Sequence, residues 1–165
     1  MQHARTAPLL LAATLLLLSF LTTACDDQRD TLTPAELRDP NLEATDSRAL
    51  DAARALWAAD GTTNYDMRFN WTCFCPPEAT TEVDLEIRGR KIRTTGPPRS
   101  TVALVGRQTI DGLFNLIEEA IDQRAAAINV TYHPTLGYPL DAYIDYDLRI
   151  ADEELGFTIH QLTLR

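Results

Sequence analysis

Residues 65 to 73, Tyr-Asp-Met-Arg-Phe-Asn-Trp-Thr-Cys, alternate apolar and polar side chains without a break. A period of two puts Tyr65, Met67, Phe69, Trp71 and Cys73 on one face of a strand and Asp66, Arg68, Asn70 and Thr72 on the other. Such a strand belongs in a sheet with one face covered and the other wet. The next segment repeats the pattern, with Val83, Leu85 and Ile87 between Asp84, Glu86 and Arg88, and Gly89-Arg90 supplies a hairpin tip before Lys91-Ile92-Arg93. Gly96-Pro97-Pro98 reads as a loop.

The cover comes from helices. Ile110, Leu113, Phe114, Ile117, Ala120 and Ile121 recur at spacings of three and four, with Thr109 as N-cap and Asp111 in the first turn. An earlier helix is expected from Ser47 to Ala59, with Leu50, Ala53, Leu56 and Trp57 along one side and Gly61 as its stop. Before it, Thr33-Pro34-Ala35-Glu36 forms a capping box, and Asp39-Pro40 is expected to end that short helix. Beyond the best helix, Ile128, Val130 and Tyr132 alternate, residues 134 to 139 turn, and a strand is expected over Leu140 to Leu148. In the last strand, Phe157 to Leu164, Phe157 and Ile159 differ in parity from Leu162 and Leu164, which predicts a bulge near His160-Gln161. Short links favour antiparallel pairing. The expected fold is α+β over residues 46–165: a curved antiparallel sheet of about five strands with two helices packed on one face.

The amino terminus has a different build. A cationic start containing Arg5, an apolar run from Leu9 to Leu21 and the small pair Thr23-Ala24 precede Cys25. The run is too short to span a bilayer, which takes about 20 residues, and the tripartite order is that of an export signal. The segment resembles the bacterial lipobox, in which the peptide is cut before a cysteine whose thiol receives a diacylglyceryl group. It departs from that pattern at Thr22, where leucine is usual. The expected cut lies between Ala24 and Cys25, making residues 1–24 the signal, Cys25 the site of lipidation and fatty acylation, and residues 25–45 a tether with a short helix. The expected location is the cell envelope, lipid-anchored to a membrane. Removing residues 1–24 takes away Arg5 and no acid, so 15 − 1 = 14 bases face 24 acids and the net charge becomes −10. That balance argues against nucleic acid, which needs a basic stripe, and leaves an envelope protein as the expected partner besides the membrane.

Export would place Cys73 and Cys75 in an oxidising compartment. In an extended strand their Cα atoms would stand about 6.6 Å apart, so a disulfide between them requires a tight turn, which Pro76-Pro77 permits. The alternatives are a working thiol-disulfide pair, although the C-x-x-C spacing of redox helices is absent, and free or intermolecular thiols. Zinc is not expected, because a second ligand pair is missing. The acids Asp141, Asp145, Asp147, Asp152, Glu153 and Glu154 do not fit a calcium loop; Asp141, Tyr143, Asp145 and Asp147 are expected to share the solvated face of a strand whose other face carries Ala142, Ile144, Tyr146 and Leu148. His133 and His160 sit in no triad or metal motif. No phosphate loop or nucleophile elbow is present, and neither a catalytic residue nor a cofactor is expected.

Asn64-Tyr65-Asp66-Met67-Arg68 leading to Cys73-Phe74-Cys75-Pro76, then Leu113-Phe114-Asn115-Leu116-Ile117, and above all Val130-Thr131-Tyr132-His133-Pro134-Thr135-Leu136-Gly137-Tyr138-Pro139 with Ile144-Asp145 and Ala151-Asp152-Glu153-Glu154, resemble a family of small uncharacterised bacterial secreted and lipoprotein domains. The resemblance covers roughly residues 47 to 165. It implies a secreted α+β domain, marks Tyr65, Tyr138 and Asp145 as structural motif positions, and brings no activity. A non-catalytic binding or structural module is the expected role, with an envelope redox factor or other small secreted enzyme using Cys73 and Cys75 as the alternative. Tyr138 is expected to pack against the Cys73–Cys75 segment as a clasp, unless the two motifs are independent turns at opposite ends of the sheet.

Overall fold

The computed structural model describes residues 39–93 and 106–165. Cys25, the export signal, residues 25–38 of the expected tether, the capping box at Thr33 and the loop at Gly96 lie outside the described residues, while residues 40–45 of that tether belong to the first helix of the domain.

Helix α1 spans Pro40–Asp60. Its start corrects the expectation that this helix begins at Ser47; the short helix expected to stop at Asp39-Pro40 lies outside the described residues. Asp39 is an N-cap whose carboxylate accepts from the Asn41 N–H at 2.8 Å, and proline is well placed in a first turn, where its missing N–H costs nothing. Gly61 closes the helix at φ +73, the left-handed conformation glycine adopts without penalty. Leu50, Ala53 and Trp57 are buried, while Leu56 stays 45% exposed and drops out of the expected stripe.

Strand β1 spans Tyr65–Cys73, a one-turn helix α2 follows at Pro77–Thr80, and strands β2, Val83–Arg88, and β3, Lys91–Arg93, form a hairpin. Helix α3 spans Ile110–Asp122, with the Thr109 hydroxyl accepting from the Gly112 N–H at 3.0 Å. Strands β4, Ala127–Tyr132, β5, Pro139–Asp145, and β6, Leu155–Leu164, complete the chain. The strands lie in the order β3-β2-β1-β6-β5-β4, antiparallel throughout, in an α+β fold whose six strands exceed the expected five by one. In β6 the pairing slips between Arg68↔Gln161 and Phe69↔Ile159, so His160 is the extra residue of a bulge where the parity switch placed one. Strand β5 ends at Asp145 rather than at Leu148. There the Asp147 carboxylate accepts from the Arg149 N–H and its carbonyl accepts from the Ile150 N–H, a turn that draws the chain out of the sheet.

Tyr65, Met67, Phe69 and Trp71 pack with Phe157, Ile159, Ala142 and Ile144 beneath Leu113, Phe114, Ile117 and the buried stripe of α1, in one core. Phe69, Phe114 and Phe157 are essentially fully buried, and each contributes about 2–3 kcal/mol relative to an exposed ring. Across the helices, Arg54 binds Glu118 at 2.8 Å and Asn115 at 3.1 Å, and the guanidinium holds the Glu118 carboxyl below its ordinary range.

Candidate functional site

Both ends of the central strand β1 carry residues singled out in the sequence, and they are built in opposite ways. At its start, the Tyr65 hydroxyl is buried and accepts from the Ile110 N–H at 2.8 Å. It thereby takes up one of the first-turn donors of α3 that no carbonyl inside the helix can reach. Burial pushes its pKa up to about 12. Trp57 meets Tyr65 edge-on at 5.5 Å between ring centroids and Tyr138 at 6.0 Å, and His133 stacks on Tyr138 at 4.8 Å. His133 Nδ1 accepts from the Leu136 N–H at 3.1 Å and the Thr135 N–H at 3.3 Å, so the imidazole caps the turn that presents Tyr138. The turn is closed by His133 N–H to Tyr138 O at 2.8 Å and Gly137 N–H to His133 O at 2.9 Å. Gly137 has φ +76, and a Cβ there would run into the Ala53 carbonyl and the Leu56 side chain of α1. The stretch from His133 to Pro139 is thus a fitted seat for α1.

This geometry corrects the clasp. Tyr138 contacts Trp57 beside Tyr65, and Cys73 lies eight extended residues further along β1, about 26 Å away. Pro139 pairs with Tyr132 at one end of the sheet and Cys73 with Leu155 at the other, so the two motifs are independent turns.

At the far end, β1 stops at Cys73 and the chain bends through Phe74 and Cys75. Cys73 and Cys75 are joined by a disulfide with Cα atoms 5.2 Å apart, shorter than an extended strand would hold them. Phe74 between them is 79% exposed. Leu155 faces Cys73 across the ladder, and the loop 146–154 runs from the end of β5 to that residue. Leu148, 72% exposed, and Ile150, 51% exposed, stand on this loop beyond the same end of the sheet. Three large apolar side chains therefore face solvent on the segments that leave this end of the sheet, one of them on the cross-linked bend.

Asp145 departs from the solvated face expected for it. It is 3% exposed; Oδ2 accepts from the Tyr143 hydroxyl at 3.1 Å, and Oδ1 meets no donor among the described residues. Asp141 accepts from Thr158 at 2.9 Å, and Asp147 pairs with Arg149 at 2.8 Å. Among the described residues no group of three or more histidines, cysteines or carboxylates is placed to hold a metal ion.

The uncovered face of the sheet holds a shallow hollow of about 260 Å³ lined by Asp66, Arg68, Asp84, Glu86 and Arg165. Its charges are matched inside the protein: Asp66 binds Arg88 at 2.7 Å and Arg165 at 2.6 Å, and Arg68 binds Asp84 at 3.0 Å. Arg88 and Arg165 hold the Asp66 carboxyl below its ordinary range. On the same face, Asn70 meets His160 Nε2 at 2.7 Å, a contact that fixes the bulge. This ladder ties β2, β1 and β6 together.

A protein family described as a family of unknown function, DUF6174, matches residues 49–164. The chain belongs to this family. The match begins inside α1 and ends at the last residue of β6, so the DUF6174 domain contains the whole sheet and both ends just described. No match was found among curated proteins or among solved structures.

Sequence reasoning passed over Phe74 and Ile150, and it placed Leu148 on the apolar face of a strand, whereas the strand ends at Asp145 and Leu148 is exposed. Parity held the signal for Phe74: if Cys73 continues the covered face, the next side chain points away from it. The exposure of Leu148 and Ile150 had no such signal, since it follows from the turn at Asp147, which ends β5 early.

Proposed function

We propose that this DUF6174 protein is a lipid-anchored module of the cell envelope with a non-catalytic binding or structural role. The single observation that carries the reading is Thr23-Ala24-Cys25 at the end of the apolar run Leu9–Leu21. Support comes from the disulfide between Cys73 and Cys75, which fits an oxidising compartment, and from the acidic balance of the exported part, which keeps a tethered domain off anionic lipid and off nucleic acid. On this reading residues 1–24 are removed, Cys25 carries the diacylglyceryl and fatty-acyl groups, residues 25–38 span from the bilayer to the domain, and the domain that opens with α1 works outside the cytoplasm. The polar groups at the start of β1 and on the open face serve the fold: Tyr65 and His133 cap backbone donors, and the arginines of the open face answer its carboxylates.

The test is Cys25→Ser in cells fed a clickable fatty acid. The wild-type chain is expected to take up label and to partition with membranes, and the variant to lose the label and to remain unprocessed or appear in the soluble fraction. Undiminished label in the variant would remove the anchor.

A further inference from the structure

The end of the sheet at Cys73 combines three properties that bear on one another. The first is apolar exposure: Phe74 on the link that follows β1, and Leu148 and Ile150 on the loop that precedes β6, are exposed on segments that leave the same end of the sheet, where Cys73 pairs with Leu155. The second is constraint. The bend that presents Phe74 is cross-linked on both sides by the Cys73–Cys75 disulfide and runs at once into Pro76, Pro77 and α2. An aromatic ring held this way loses little conformational freedom on being covered, which is how anchor residues of interfaces gain affinity. The third is charge. The same two segments carry Glu78, four residues after Phe74, and Asp152 and Glu154, on the loop of Leu148 and Ile150; no cationic partner lies within ion-pair distance of these three acids among the described residues, whereas Arg149 is taken up by Asp147.

We infer that this tip is a docking surface for an envelope protein that offers an apolar socket for Phe74 rimmed by lysine or arginine. The acids choose among the occupants. An anionic bilayer would be repelled by the carboxylates on these two segments, and a second copy would set Glu78, Asp152 and Glu154 against their own kind. A basic-rimmed protein surface meets both parts of the tip, its apolar centre and its acidic edge, in the usual layout of a recognition patch. The inference rests on the anchored-module reading, since it takes the tip to be outside the cytoplasm and beside other envelope proteins.

The experiment places the photoreactive residue benzoylphenylalanine at position 74, at 148 and, as a control at the opposite end of the sheet, at 91, in the full-length chain in its own cells. One discrete protein adduct is expected from positions 74 and 148 and none from 91. That protein, identified by mass and purified, is then expected to bind the full-length chain with a Kd that rises about tenfold or more on Phe74→Ser, the size of an anchor-residue loss. A rise is also expected on Asp152→Lys and as salt goes from about 50 to about 500 mM, which screens a rim contact. Lys91→Glu should leave it unchanged. Thermal unfolding of Phe74→Ser checks that the domain remains folded. Adducts with lipid alone, adducts with the chain itself, no adduct, or a captured protein whose affinity ignores Phe74→Ser and salt would each overturn the proposal. Failure of the anchor reading shows elsewhere, as wild-type chain without fatty-acyl label, and leaves the affinity of the purified pair untouched.

Discussion

The two ends of β1 use aromatic side chains to opposite purposes. At the Tyr65 end, four rings, those of Trp57, Tyr65, His133 and Tyr138, close on one another, and the polar atoms of Tyr65 and His133 are spent on backbone N–H groups. At the Cys73 end one ring, Phe74, is turned outward and the bend beneath it is cross-linked. The contrast separates residues that hold the fold from residues the fold holds out. A distinctive motif in the sequence can belong to either kind: His133 to Pro139 is a seat for α1, whereas Cys73 to Cys75 is a tip.

The largest effect that can break this comparison is expected at Gly137. Replacement by alanine must carry a left-handed backbone, costing about 1–2 kcal/mol, and must push α1 away from the Ala53 carbonyl, adding about 1–3 kcal/mol of overpacking. Gly61 is the internal control, because it has a similar φ of +73 but nothing within 4 Å of the place a Cβ would take. Chemical denaturation should therefore show Gly137→Ala losing about 3 kcal/mol and Gly61→Ala only the backbone share, about 1–2 kcal/mol. Equal losses would mean that the turn does not bear on α1.

Tyr65→Phe comes next and sharpens the comparison by removing one oxygen. The Ile110 N–H is left without its acceptor in a buried place, which costs about 1–3 kcal/mol at neutral pH. The variant also changes the response to base. Tyr65 and Tyr132 both have pKa values pushed up to about 12 by burial, against an unfolded value of about 10. Below pH 10 neither state ionises, and the contribution of each buried phenol to stability is fully present. Between pH 10 and 12 the unfolded chain gives up these protons first, so stability is lost as pH rises through the folded values. Denaturation midpoints across that window should fall for the wild type and fall less steeply for Tyr65→Phe, which loses the Tyr65 share and keeps those of Tyr132 and of Tyr138, Tyr143 and Tyr146, whose pKa values burial also raises. Identical slopes would show that the Tyr65 hydroxyl is not shut away.

What the sequence made legible follows from how local the determinants are. The alternation in β1 and β2, the N-cap at Thr109 and the stop at Gly61 are written within a few residues, and the structure contains each of them. The His160 bulge was legible because parity along β6 records it. Asp39-Pro40 was read for what it does to the residues before it, whereas the same pair is also a good helix opening, with Asp39 as N-cap and proline in the first turn of α1. The burial of Asp145 was hidden because alternation assigns a face but not what a following loop covers. The clasp between Tyr138 and Cys73 failed for a related reason: strand order decides which turns share an end of the sheet, and the pairing of Cys73 with Leu155 and of Tyr132 with Pro139 is a long-range fact. For the tip, the sequence displayed the cysteines, but not the company of Leu148 and Ile150, which depends on the early turn at Asp147.

The smallest expected effect is the most discriminating. Phe74→Ser removes a ring of the type that costs about 3–5 kcal/mol when truncated inside a core, yet at 79% exposure it should change stability by no more than about 0.5 kcal/mol in a denaturation experiment. An apolar ring of that size kept in solvent, with the chain on either side fixed by a disulfide, gives nothing to the fold that serine would not. A loss above about 2 kcal/mol would mean that Phe74 packs against the domain in solution and that the two ends of β1 are built alike. A neutral result leaves recognition as the use to which the ring is put, because the Cys73–Cys75 bend then constrains a side chain on which the fold does not depend.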